Sequence, residues 1–137
     1  MLKGFASSSQ PLLGSLIDLP TLSQLRLCDI GVNILDDMYH GIYHGKQIHE
    51  NYIEDVITRA RSLSVNSMIF TGSNIEESRK TLTLCNTLPN NKGLYCTIGI
   101  HPCNSMEFHE NSDIIIKNLK SLIDEGLSSN KVVAIGI

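Results

Sequence analysis

Four short apolar runs, separated by stretches of helical period, limit what this chain can fold into. The runs occupy residues 25–32, 67–71, 94–99 and 131–136. Between them, Ile53, Val56, Ile57, Ala60 and Leu63 recur at helical spacing over residues 52–63,. Ile75, Ser78, Leu82 and Cys85 do so over residues 75–85, and Ile115, Leu119, Leu122 and Ile123 over residues 113–125. Asn51 with Glu54, and Asn74 with Glu77, stand where helix caps belong,. Gly126 is predicted to cap the end of the third helix,. The order is βαβαβαβ, which means parallel strands joined by right-handed crossovers.

Two architectures satisfy this order: an open doubly wound sheet, or part of a (β/α)₈ barrel. Val132 to Ile135 is apolar at every position, as in a strand covered on both faces,. No helical segment follows to cover it. If the fold is a barrel, four strands of eight cannot close, and both edge strands stay unpaired. The expectation is a chain cut short at Ile137, able to associate with itself or another chain through exposed sheet edges.

At 137 residues, 42% hydrophobic and 18% charged, the chain has material for one ordered core,. Its formal charge of −3 excludes a broad cationic surface that coats nucleic acid,. No apolar run approaches the roughly 18–20 residues of a membrane span. Residues 1–26, with Ser7, Ser8 and Ser9 ahead of Pro11, are expected to form a poorly ordered leader, and residues 27–137 the domain,. A mitochondrial transit peptide would be richer in arginine, which leaves mitochondrial targeting as the lesser alternative,. The four cysteines form no Cys-x-x-Cys pair and are too sparse for a disulfide scaffold, which predicts reduced thiols in an intracellular protein of the cytoplasm or nucleus,. Cys28, Cys85 and Cys96 fall within element patterns and are expected to act as small buried hydrophobes,.

In parallel α/β folds, reactive groups collect on loops beyond the strand C-termini. Here those positions hold Asn33, then Thr71-Gly72-Ser73-Asn74, then His101. His101 lies just past the third strand, with Pro102 fixing the direction of the chain,. An imidazole there can serve as acid, base, metal ligand or hydrogen-bond donor, and a histidine bonded within a loop is an equal alternative. His40, His44 and His49 have the spacing of metal ligands on a helix, but Gly41 and Gly45 interleave them and favour a solvated loop,. Gly72-Ser73-Asn74 could cradle a phosphate, though ordinary capping explains it equally well,. There is no Walker loop, dinucleotide fingerprint or serine nucleophile elbow,.

Asp29-Ile30-Gly31-Val32-Asn33, Phe70-Thr71-Gly72-Ser73-Asn74, Gly99-Ile100-His101-Pro102 and Val132-Val133-Ala134-Ile135-Gly136 together resemble the TatD family of metal-dependent deoxyribonucleases. The resemblance covers about residues 27–136, and the surroundings of His44-Gly45-Lys46-Gln47 are most similar to its eukaryotic branch. It implies the N-terminal half of a partial (β/α)₈ barrel of about four strands and three helices. It also implies an exonuclease-type hydrolase that acts at DNA ends with a divalent metal, magnesium or zinc. By matching, His101 is the catalytic candidate, and Asn33 and Asn74 are substrate-facing candidates. Gly31 and Asn33 replace the His-x-His pair of many relatives, and Ile137 follows Gly136 where the family has a metal-binding glutamate. With these ligands missing, no metal residue is assigned. The expectation is that the chain alone binds no metal stably and is inactive, a noncatalytic interaction module being the alternative.

Overall fold

The computed structural model describes residues 25–136, so the expected leader lies almost wholly outside the described residues. In chain order the elements are strand β1 (Leu27–Val32), the short strands β2 (Ile42–Tyr43) and β3 (Lys46–Gln47), and helix α1 (Ile53–Ser62). Then come β4 (Val65–Phe70), α2 (Ile75–Thr87), β5 (Leu94–Ile98), the short α3 (Ser105–Glu110), α4 (Ser112–Ser128) and β6 (Val132–Ile135).

The main sheet has the order β1-β4-β5-β6, and every pairing in it is parallel. This order decides between the two architectures left open by the sequence. Each right-handed crossover steps in the same direction, so successive helices fall on the same face. A doubly wound sheet reverses direction and puts helices on both faces. The described residues therefore form half of a TIM-type barrel.

Side-chain alternation shows which face is packed. Met68 and Phe70 of β4 and Leu94, Cys96 and Ile98 of β5 are buried with Ile53 and Ile57 of α1, Leu82 and Cys85 of α2, and Leu122 of α4. The edges are different. Ile30 of β1 is 75% exposed and Ile135 of β6 is 71% exposed. Cys28 is also exposed, against the expectation from its place in an apolar run, because β1 is an edge strand.

Local chemistry sets the element boundaries. Asn74 caps α2, its side-chain oxygen accepting from the Glu77 amide at 2.9 Å,. Asn51 accepts from the Ile53 amide at 2.9 Å at the start of α1. Arg61 near the end of α1 donates to the carbonyls of Asn90 (2.7 Å) and Lys92 (2.8 Å), tying that helix to the turn before β5. Gly126 is not the cap that its position suggested. It lies inside α4 and is buried, and a Cβ there would stand 2.0 Å from Val132 Cγ2. Glycine is there because helix and edge strand approach closely, not because the backbone turns.

Candidate active site at the strand ends

His101 follows β5, and its backbone is fixed first. Its amide donates to the Ser73 carbonyl at 2.7 Å, and its carbonyl accepts from the Asn104 amide at 2.7 Å. The ring is fixed next: Nδ1 lies 3.1 Å from the Cys103 amide nitrogen. A backbone N–H can only donate, so Nδ1 carries the lone pair. In the neutral ring the proton then sits on Nε2, and His101 presents an N–H donor. Of the four roles open to this residue in the sequence, this contact favours the hydrogen-bond donor.

The loop after β4 supports it. Glu77 accepts from the Ser73 amide at 2.9 Å and from the Ser73 hydroxyl at 2.5 Å. Asn104 donates its side-chain amide to the Ser73 carbonyl at 2.9 Å and lies 3.4 Å from the Ser73 hydroxyl. Ser73 thus joins two strand-end loops, and a Cβ on neighbouring Gly72 would meet the Ser78 amide nitrogen at 2.6 Å. The sequence singled out Asn74 but not the positioning role of Ser73, Glu77 and Asn104. Their bonds span up to 31 residues, and local patterning carries no signal for that.

Asn74 spends its oxygen on the helix cap, which leaves its amide group for other partners. Asn33 is exposed at the end of β1. Thr97, on β5, is 7% exposed, and its hydroxyl finds no partner among the described residues. Alternation along the strand points it to the face opposite Cys96 and Ile98,.

A divalent metal would need several imidazole or carboxylate donors in fixed geometry. Among the described residues no three His, Cys, Asp or Glu side chains gather in that way. The His101 lone pair is already engaged. The residues present therefore do not fit a complete metal centre. His40, His44 and His49 do not supply one: His40 ends a 3-10 turn, half-buried, with its Nδ1 3.1 Å from the Asn51 side-chain amide, while exposed His44 is at the tip of the β2–β3 hairpin and exposed His49 lies beyond it.

The cysteines are all free thiols. Cys85 and Cys96 are fully buried, and the hydrogen bond from Cys85 to Cys96, with burial second, pushes the Cys85 thiol far above its ordinary range,. Titration of the native chain with a thiol reagent such as DTNB should modify Cys28 and Cys103 rapidly. The other two should react only after denaturation. Four fast thiols would contradict this core.

A parallel four-stranded sheet with α-helices between its strands defines a TIM-type α/β scaffold,. The sequence matches the family described as TatD related DNase over residues 29–137. It is 37% identical over 119 residues to deoxyribonuclease Tat-D of Schizosaccharomyces pombe, covering 84% of this chain and 37% of that protein. It is 32% identical over 110 residues to the 3'-5' ssDNA/RNA exonuclease TatD of Edwardsiella piscicida, covering 80% of this chain and 35% of that one. The fold superimposes on the crystal structure of a TatD family hydrolase from Entamoeba histolytica with a TM-score of 0.72 and 34% identity, covering 81% of this chain and 36% of that chain. An amidohydrolase from Saccharomyces cerevisiae gives 0.65 and 32%, with coverages of 82% and 36%. The chain belongs to the TatD-related DNase family. It spans about a third of the length of these relatives.

Proposed function

We propose that this chain supplies the first four β/α units of a metal-dependent hydrolase that cleaves phosphodiester bonds at DNA ends. The observation that carries the reading is the Nε2–H of His101, held at the strand C-termini by its Nδ1 contact and by Ser73. Such a donor suits a phosphate oxygen, whose negative charge shortens and strengthens the hydrogen bond. The free amide group of Asn74, and Asn33 at the end of β1, face the same substrate. The divalent cation of the reaction, magnesium or zinc, is held by groups other than those gathered here, so this chain alone binds none stably and is inactive. The exposed edges of β1 and β6 pair with further β/α units. The free thiols suit a reducing compartment, the cytoplasm or nucleus,. Among the described residues no helix is long and apolar enough to cross a membrane.

The test compares this chain with a hybrid in which it is joined to the later β/α units of the Schizosaccharomyces pombe relative. Release of nucleotides from single-stranded DNA is followed with magnesium, with zinc and with EDTA. The chain alone should release none, and the hybrid should show metal-dependent release. Turnover that tracks the chain alone, or a folded hybrid with no activity, would sink the reading.

A further inference from the structure

The turn after β5 is capped by a side chain whose capping power depends on its charge. Pro102–Asn104 forms a single 3-10 turn, and His101 stands at its N-cap in extended backbone. Caps are usually the side-chain oxygens of serine, threonine, aspartate or asparagine, which remain acceptors across the neutral range. Here the acceptor is imidazole Nδ1, 3.1 Å from the Cys103 amide nitrogen. That atom accepts only through its lone pair, and protonation of the ring puts a hydrogen there. Two N–H donors would then face each other across the contact. The uncharged ring closes the turn, and the charged ring does not.

The surroundings offer the charged ring nothing in exchange. Among the described side chains no carboxylate forms an ion pair with His101. Glu77, which serves the adjoining loop after β4, accepts from the Ser73 amide and hydroxyl instead. The other titratable group on the turn is the exposed Cys103 thiol, and His109 on α3 is exposed.

What the turn holds makes the cap matter. The Asn104 amide closes it by donating to the His101 carbonyl at 2.7 Å, while the Asn104 side-chain amide reaches the Ser73 carbonyl at 2.9 Å. The His101 amide donates to that same carbonyl at 2.7 Å. The junction between the loops after β4 and β5 therefore runs through one turn, and one imidazole lone pair caps that turn.

We propose that His101 is a proton-operated latch: uncharged, it caps the 102–104 turn and holds the two strand-end loops together, and protonated, it leaves the cap and loosens them. The open turn binds one proton more than the closed one, so the closed turn is favoured at high pH and lost as pH falls. Imidazole ordinarily changes charge between pH 5 and 8, which sets the range to search. The inference rests on the tautomer assigned to His101 and not on the hydrolase reading.

The experiment is NMR on the full 137-residue chain, labelled with 15N and titrated from pH 8 to pH 5. At pH 8 the ring nitrogens of His101 should report a proton on Nε2. On acidification the Cys103 amide resonance should move in step with the His101 ring. Its protection against exchange with water should fall about 10-fold or more, since a proton is linked to opening. The Cys96 amide, bonded to the Lys131 carbonyl within the sheet at 2.9 Å, should stay protected throughout. His101→Asn supplies a capping oxygen that does not titrate, so its Cys103 amide should be equally protected at both ends of the range.

A ring protonated on Nδ1 at pH 8, or a Cys103 amide indifferent to the His101 titration, would overturn the proposal, and neither depends on a variant folding. So would loss of protection at Cys96 in step with Cys103, because the sheet and not the turn would be opening. A folded His101→Asn chain that still loosens in acid would place the proton elsewhere and sink the latch as well. The right tautomer with an indifferent amide defeats the latch alone, and an inactive hybrid defeats the hydrolase reading alone.

Discussion

Phe70→Ala should remove most of the chain's stability at room temperature. Phe70 is fully buried at the C-terminal end of β4, inside the cluster that joins β4 and β5 to the helices. Truncating a buried phenylalanine to alanine typically costs about 3–5 kcal/mol, from lost transfer energy and the cavity left behind. Whole domains have only about 5–15 kcal/mol to lose. This chain belongs at the low end of that range, because exposed Ile30 and Ile135 contribute little burial at the two sheet edges,. Urea unfolding followed by circular dichroism should show the midpoint collapse for Phe70→Ala. Ile30→Ala, at an exposed edge position, should change stability by no more than about 0.5 kcal/mol. Comparable midpoints for Phe70→Ala and the unaltered chain would mean that the packed face has been misassigned.

Much of this architecture is legible in the order of the residues. The four apolar runs and three helical periods mark the β/α alternation because burial imposes periods of 2 and 3.6 on any chain that packs them. Val132 is buried as its run suggests, yet Val133 and Ile135 are exposed, since apolar composition records what a strand can bury rather than what covers it. The choice between barrel and doubly wound sheet was not legible in the apolar periods and came from the family resemblance alone. It depends on the direction of each crossover, and that is a relation between strands rather than within one. Gly126 carried a misleading signal, because a glycine near a helix end serves equally as a turn or as room for a neighbour. Around His101, the strand-end position and Pro102 pointed to the site. Its tautomer required the Cys103 amide, and its anchoring required Ser73, which is 28 residues away and on another loop. The β2–β3 hairpin was legible only as a glycine-broken loop.

His101→Ala should be the most damaging change to activity that leaves the fold intact. The ring is only partly buried, and its interactions are polar, so its loss opens no large apolar cavity. What disappears is one oriented donor aimed at a developing negative charge, a loss that typically costs about 10²–10³ in kcat. Asn104 and Glu77 would still hold the Ser73 loop through bonds that do not involve the His101 ring. The decisive measurement is kcat/KM for nucleotide release by the hybrid barrel, made with and without His101→Ala, with circular dichroism confirming that both fold. A donor to the phosphate predicts a fall of about 100-fold or more, carried mainly by kcat. An unchanged kcat/KM in a folded variant would contradict the account, and His101 would then be a loop histidine bonded to its own turn.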